Sequence, residues 1–534
     1  IGLGHRRLSI IDTSTLGHQP MLDSKEKIVL VFNGEIYNYK ELRIDLIKKG
    51  FTFKGDSDTE VLLNLYISKG TQMLSQLNGI FSFAIWDENL EQLFLARDSF
   101  GVKPLYYSIS ENDFCFSSEI KSLLSLMSVG SRQTLDTESI SRYLSFLWCP
   151  GSGTPLKSVK KLPPGEAIIV KNGCIVDQWP WFQLPVFNKN QKQLSKEQSI
   201  SGVRSDLRQA VHRQMVSDVP VGAFLSGGLD SSSIVAFAKE VAPDIRCFSI
   251  DTRGKNDKGF VNDLPYAKLA AKYLDVPLDI VTIDSHNMAN DIENMIYQLD
   301  EPLADPAALN VLYISQLARQ QGIKVLLSGA GGDDLFTGYR RHYALKIEKY
   351  WNWMPKSVRV NLEGLTGNLD TSNHVKRRIS KLFSGASLSS EDRLINYFRW
   401  TNDTTLESLF VPELWSEIKS NNPNAVMYDF IEPIITDVSR LDCMLALEQR
   451  YFLTDHNLNY TDKMSMAVGV ETRVPFLDKD LVKLASRIPN KYKQKGSIGK
   501  WVLKKAMEPY LPKEIIYRPK TGFGVPLRGW IKHE

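Results

Sequence analysis

Two hydrophobic periods divide the chain. Residues 28–32 (IVLVF), 80–86 (IFSFAIW) and 92–96 (QLFLA) are short apolar or alternating runs that predict strands. The last two pair as a hairpin across 87–89, and 97–107 (RDSFGVKPLYY) continues it. Between them Asn33-Gly34-Glu35 reads as a turn. Helical spacing at Leu42, Leu46 and Ile47, and again at Val61, Leu62, Leu65 and Tyr66, predicts two helices, the second opened by the acidic segment 56–60. Residues 114–116 are a further short strand before a helix around 119–124. Paired strands followed by helices predict an α+β layered domain. From 152 to 201 the pattern loosens into a loop, a strand and the polar, aperiodic 187–196 (FNKNQKQLSK), which reads as a linker before a helix from about 200 to 215.

Beyond that point strands and helices alternate. Apolar runs at 246–251, 278–283 and 323–327 are separated by helical patterns at 263–274 and 310–320. This order predicts a parallel sheet with helices on both faces, with ligands at the C-terminal ends of its strands. Three segments fall there: 226–232, 250–251 and 328–334. The first belongs to 219–233, VPVGAFLSGGLDSSS, a strand, a glycine loop and a helix start. Adjacent glycines admit close backbone approach, and a helix N-terminus presents unpaired N–H groups, so the segment suits an anion. An ordinary strand–turn–helix with capping serines fits a glycine pair as well. The lysine of the GxxxxGK[ST] phosphate loop is absent. In 328–341, SGAGGDDLFTGYRR, Gly329, Gly331 and Gly332 allow similar approach, while Asp333 and Asp334 either hold a divalent cation or cap the next helix.

Bulk composition narrows the classes. The 534 residues are 43% hydrophobic and 24% charged, an ordinary globular balance with room for two or three domains. A net charge of +4 gives no argument for nucleic acid. No run of about 18 apolar residues appears, so no membrane span is expected. Five scattered cysteines (Cys115, Cys149, Cys174, Cys247, Cys443) without a C-x-x-C pair suit a reducing cytoplasm. The chain opens at Ile1 in mid-pattern and reads as a fragment missing both ends.

In combination the motifs acquire meaning. SGGLDSS resembles the pyrophosphate loop of the N-type ATP pyrophosphatases, which implies cleavage of ATP to AMP and pyrophosphate, with Asp230 helping to hold Mg²⁺. HRRLSI, NGEIYN, GDSDTEV, FSFAIWD and ARDSFGVKPLYY, in that order, resemble the glutaminase domain of class II amidotransferases, and the whole chain resembles the glutamine-hydrolysing asparagine synthetases. The resemblance implies an α/β protein overall: an αββα N-terminal-nucleophile hydrolase domain over 1–184, a linker over 185–200, and a parallel-sheet ATP-pyrophosphatase domain with a helical C-terminal part over 201–534. It implies that Arg7 pairs with the glutamine α-carboxylate, that Asp58 with Gly34 and Glu35 holds the α-amino group, and that Leu8, Ser9, Ile10 and Ile11 line the pocket. Asn33 and the Gly34 N–H become the oxyanion hole. The family's nucleophile, an N-terminal cysteine, then lies upstream of Ile1, and Cys115, in an aromatic strand, is no substitute.

In the second domain the resemblance implies ATP contacts from Ser226, Gly227, Gly228, Asp230, Ser231, Ser232, Ser328 and Gly329, and backbone contacts to adenine from Leu225 and Ile250. Asp230 and Asp333 become Mg²⁺ ligands. SIGKWVLKK resembles the family's G-K-x-x-L segment and places Lys500 near the α-phosphate. In ETRVPFLDKD, Glu471, Arg473 and Asp478 read as structural ion-pair partners, and KTGFGVPLRGW at 520–530 also resembles the family. Two departures stand out: Ala330 and Ala307 occupy positions where the family often carries glutamate and arginine. Aspartate is the default acceptor by resemblance; a uronic acid of a surface polysaccharide or a cell-wall precursor is the alternative. A catalytically silent binding relative is the reading from another class, and the intact SGGLDSS, Asp333 and Lys500 argue against it. The expected partners are small molecules (glutamine, ATP and a carboxylate), with no nucleic acid and no membrane; a homodimer is compatible with this reading.

Overall fold

A computed structural model describes residues 1–110, 113–127, 134–186, 192–253, 263–369 and 373–519. The segment 520–530 and residues 187–191 of the expected linker lie outside the described residues.

Among the described residues nine strands build the first half: β1 (Met21–Leu22), β2 (Ile28–Ile36), β3 (Gly79–Asp87), β4 (Gln92–Arg97), β5 (Tyr106–Ile109), β6 (Phe114–Ser117), β7 (Val159–Lys161), β8 (Glu166–Lys171) and β9 (Cys174–Pro180). They form a six-stranded sheet, β1-β2-β3-β4-β8-β9, and a three-stranded sheet, β6-β5-β7, both antiparallel. One core packs the helices Tyr39–Lys48 and Asp58–Lys69 on the large sheet through Leu42, Leu46, Val61, Leu65, Phe81 and Phe83. A second core joins the sheets through Leu93, Leu95, Leu105 and Leu162. A third sets the helix Ile120–Leu126 on the small sheet. Helix, sheet, sheet and helix make the expected αββα order.

Two local expectations are corrected. Residues 97–107 do not continue the β3–β4 hairpin; the chain leaves the large sheet after Arg97 and enters the small one at Tyr106. Asp98 drives the exit: its carboxylate accepts the main-chain N–H groups of Phe81, Phe100, Val102 and Lys103 at 3.0–3.2 Å, which a continuing strand would have spent on a ladder. Nor is Asn33-Gly34-Glu35 a turn, because β2 runs on to Ile36 with Asn33, Gly34 and Glu35 opposite Ser82, Phe81 and Ile80.

In the second half β10 (Val221–Phe224), β11 (Cys247–Arg253), β12 (Leu278–Asp284), β13 (Val325–Leu327) and β14 (Glu471–Arg473) form the parallel sheet, in the order β12-β11-β10-β13-β14. The helix before β10 spans Lys196–Gln214, starting inside the expected linker because Ser195 and Gln198 form a reciprocal capping box. Strand order reverses between β10 and β13, so the loops after these two strands flank the crevice where such sheets bind ligands. Among the described residues no helix is long and apolar enough to cross a membrane.

The halves share one core, in which Tyr37, Ile80, Phe100 and Val102 pack with Val203, Leu207, Phe476 and Leu477. Buried ion pairs cross the same boundary: Lys103 with Asp462 at 2.9 Å and Lys161 with Glu301 at 3.0 Å. Tyr106 also donates to Glu301 at 2.8 Å, so the first acids of DEPLADPAAL are spent on the boundary.

Candidate active sites

The first site opens where β2 ends. A cleft with about 460 Å³ of empty space is lined by Arg7, Leu8, Ile10, Ile11, Asn33, Gly34, Glu35 and Asp58. Eight of the nine residues expected around glutamine are therefore brought together; Ser9 is not among the lining residues. Arg7 is steadied by its own chain, donating to the carbonyls of Ile11 and Asp12 at 2.7 and 2.8 Å. Asp58 starts its helix behind the N-cap Ser57 and accepts the Ile36 N–H at 3.0 Å. Glu35 is buried, and its Oε2 accepts no hydrogen bond. Glu471 of β14 and Met466, both from the second half, also line it, as do His5 and Arg6. Cys115 is half-buried on β6, and burial pushes its thiol pKa up, which disfavours the thiolate.

Carboxylates crowd this cleft. Burial raises the Asp58 pKa to about 6; the Ile36 N–H opposes this and the Glu471 charge reinforces it. Glu35 is raised in the same way by burial and by Asp58. An acid raised in the folded state stabilises the fold below its unfolded pKa and loses that contribution as pH rises through the folded one. Asp58→Asn is therefore expected to raise the melting temperature at pH 8 but not at pH 4, with a gain on the order of 2–3 kcal/mol, while glutamine hydrolysis falls. Equal melting shifts at both pH values would refute the titration argument.

At the second site, three dispersed residues converge. Lys500 Nζ makes ion pairs with both Asp230 and Asp333, one aspartate from each loop beside the switch point. Lys500 is buried, adopts φ +53° at the N-cap of the helix Trp501–Met507, and donates its N–H to the Phe336 carbonyl at 2.8 Å. The two aspartates push its pKa up despite desolvation, so it stays an ammonium. Gly227 and Gly332 leave no room for a side chain. A Cβ on Gly227 would stand 2.1 Å from the Tyr266 carbonyl carbon, and one on Gly332 would stand 2.7 Å from Asp230 Cγ. Ser231 Oγ ties the loop to Ser226, which donates its N–H at 3.2 Å, and Gly228 caps the helix Leu229–Ala238. Ser232 Oγ is buried without a partner, and Ser328 accepts the Ala330 N–H at 3.2 Å. Leu225 is fully buried, its N–H donating to the Phe248 carbonyl at 2.9 Å. Ile250 lies inside β11, opposite Val281, because that strand runs two residues further than expected. Asp230 and Asp333 already converge on one cation, a donor set that fits Mg²⁺, which is usually held by one or two carboxylates plus substrate phosphates.

Three residues here escaped the sequence reading. Arg518 donates to the Gly227 carbonyl at 3.1 Å and to Asp263 at 2.5 Å, setting a cation over the glycine loop. Glu471 joins the first cleft rather than serving only as an ion-pair partner. His456 sits on the π-helix Glu448–Leu458 and meets Asp305 at 3.2 Å, two residues before the buried Ala307. Nothing in hydrophobic periodicity signals a π-helix. Asp478 keeps its structural reading: it caps the helix Lys479–Ser486 and pairs with Arg213 at 2.5 Å.

Comparison with known proteins gives two family matches. A family model for asparagine synthase matches residues 202–534, and one for a glutamine amidotransferase domain matches residues 1–181. The chain is 35% identical over 537 residues to asparagine synthetase [glutamine-hydrolyzing] 1 of Bacillus subtilis, covering 100% of this chain and 81% of the relative. It is 31% identical to a putative asparagine synthetase [glutamine-hydrolyzing] of Mycobacterium tuberculosis, covering 99% and 80%. Against the amidase chyE of Penicillium rubens it is 29% identical, covering 99% and 82%. The chain belongs to the glutamine-hydrolysing asparagine synthetase family, as an ATP-using carbon–nitrogen ligase with glutamine as its nitrogen donor.

Proposed function

We propose that this protein amidates a carboxylate acceptor by adenylation, with aspartate as the default acceptor, asparagine as product, and AMP and pyrophosphate released. The observation that carries this is the meeting of Lys500, Asp230 and Asp333 between the two glycine loops. Two carboxylates and an ammonium form a site for the phosphates: the loop N–H groups receive the triphosphate, and Lys500 exchanges its aspartate partners for the charge that grows on the α-phosphate. Mg²⁺, held by Asp230 and Asp333, would neutralise the departing pyrophosphate. Leu225 and Ile250 bound the adenine, while Ser226, Gly227, Gly228, Ser231, Ser232, Ser328 and Gly329 cradle the phosphates.

In the first site Arg7 holds the α-carboxylate of glutamine, and Asp58 with Glu35 holds its α-ammonium. Asn33 and the Gly34 N–H stabilise the oxyanion, and Leu8, Ser9, Ile10 and Ile11 close the pocket. Ammonia released there passes between the halves, where a small cavity of about 10 Å³ is lined by Tyr37 and Ile80 of one and by Gln214, Val474, Leu477 and Lys479 of the other, and Leu477 abuts Gly331 of the second site. The domain limits 1–184, 185–200 and 201–534 belong to this proposal, as does a cytoplasmic setting.

One observation favours a different acceptor. Ala307 and Ala330 supply no charge, and Ala307 donates its N–H to Asp305, the partner of His456, at 2.9 Å. Two relatives, from Penicillium rubens and Gibberella zeae, are named amidases. The test supplies the full-length protein with Mg·ATP and ammonium, then aspartate, uronic acids or peptide carboxylates in turn, and measures pyrophosphate and amide together. Stoichiometric asparagine and pyrophosphate are expected. Release with another carboxylate alone changes the acceptor and keeps the mechanism, whereas no pyrophosphate with any acceptor overturns the proposal.

A further inference from the structure

The short strand β14 touches both sites at once. Glu471 lines the glutamine cleft beside Glu35 and Asp58. Arg473, two residues on, is completely buried. Its guanidinium donates to the carbonyls of Gln214 and Val216 at 2.8 and 2.7 Å and to Glu471 Oε1 at 2.9 Å, and it stands 3.6 Å from Glu35 Oε1. The main chain of the same residue faces the other way. Its carbonyl accepts the Ser328 N–H at 2.8 Å, and Leu327 is its register partner on β13. Beyond Ser328 the loop leaves no slack: a Cβ on Gly329 would lie 2.9 Å from the Ser231 nitrogen and 3.0 Å from Asp230 Cβ. Glu35, Arg473, Ser328 and Asp230 thus form a packed series from one site to the other.

Charge gives the series a reason to move. Glu35, Asp58 and Glu471 share Arg473 and Lys103, which stands 3.7 Å from Glu471 and is held more closely, at 2.9 Å, by Asp462. Arg7 also lines the cleft, but its guanidinium is held by the Ile11 and Asp12 carbonyls, so the acids lean on Arg473, which pairs with both Glu35 and Glu471. An α-ammonium entering it competes with Arg473 for Glu35 and Glu471, and the two carbonyls that also hold the guanidinium then fix where Arg473, and with it β14, comes to rest.

We propose that Arg473 is a positioning residue common to both sites, so that an α-amino acid in the glutamine cleft and ATP at the Ser226 and Ser328 loops bind with coupled affinities. This rests on the two-site reading above. Thermodynamic linkage makes the coupling reciprocal, and a ligand acts only through its different affinity for the two positions of the strand.

The test measures ATP binding to the full-length protein by equilibrium dialysis, without acceptor or ammonium, in the presence and absence of saturating L-glutamate. The wild-type Kd for ATP is expected to change about fivefold or more, and the Kd for L-glutamate to change by the same factor with ATP. In Arg473→Lys, which keeps the charge but loses the fork, the two ATP constants are expected to converge. Glu471→Gln, nearly isosteric, serves if the lysine variant does not fold. A purely structural role would weaken each ligand separately and leave their ratio unchanged. A wild-type ratio of one, or a ratio that survives in either variant, overturns the proposal. No binding of either ligand to the wild type overturns the two-site reading, and this inference with it.

Discussion

Lys500→Met is expected to cut ammonia-driven amide synthesis by about 10²–10³-fold, with glutamine hydrolysis falling far less. The methionine fills the space of the lysine stem but removes the ammonium that Asp230 and Asp333 share. Two consequences separate. In the ligand-free protein two carboxylates beside a buried position lose their common cation, and removing one partner of a buried pair costs about 3–5 kcal/mol. Melting temperature therefore falls, and Mg²⁺ alone recovers part of it, because those carboxylates can then take up the metal. In turnover, nothing replaces the donor aimed at the α-phosphate, so Mg²⁺ restores stability without restoring rate. Pre-steady-state pyrophosphate release with ammonium and acceptor checks this. An undiminished release rate would make Lys500 a clamp for the aspartates only.

The chemistry of this chain is legible where it is local. SGGLDSS and SGAGGDD are each read within a few residues, since glycine freedom, serine caps and a helix start all act over that distance, and the strands around them follow from apolar runs. What the loops do together is set by topology, and the strand–helix alternation is enough to predict the parallel sheet, at one end of which Asp230 and Asp333 meet. The errors share one cause. Asn33-Gly34-Glu35 has turn composition, but β3 supplies a full ladder opposite it, and pairing with a segment 45–49 residues away outweighs local propensity. Residues 97–107 look like strand, but Asp98 gathers four main-chain N–H groups and ends it. Arg473 and Glu471 look like an ordinary ion pair at short spacing. Only the fold sets them against Glu35, and nothing in either segment alone announces that meeting. The same holds for Arg518, whose neighbours Gly227 and Asp263 lie far back in the chain.

The glycine in that misread turn gives the second large effect. Gly34 has φ +147° and stands opposite Phe81 on β3; a Cβ there would lie 2.0 Å from the Ile80 carbonyl oxygen and 2.7 Å from the Phe81 Cα. Both obstacles are main chain, so no rotamer change relieves them, and β2 must move off β3 or twist. Either movement displaces Asn33 and the Gly34 N–H from the cleft they line. Gly34→Ala is expected to lower glutamine-driven synthesis by about 10²-fold or more, the loss typical of a misplaced oxyanion donor. Ammonia-driven synthesis, which bypasses the cleft, should fall much less, and the fold should lose about 1–3 kcal/mol to backbone strain. Gly79 supplies the control. It belongs to the same ladder, opposite Ile36, and a Cβ there would stand 2.1 Å from the Glu35 carbonyl oxygen, yet Gly79 does not line the glutamine cleft. Gly79 lines the cavity between the halves instead, so the readout is glutamate release: Gly79→Ala should destabilise the protein comparably while retaining more glutamine hydrolysis. If the two alanines depress glutamine use equally, strand strain alone explains the loss, and Gly34 has no special place at the oxyanion. If only Gly34→Ala does, the defect belongs to the pocket, because the ladder is damaged in both.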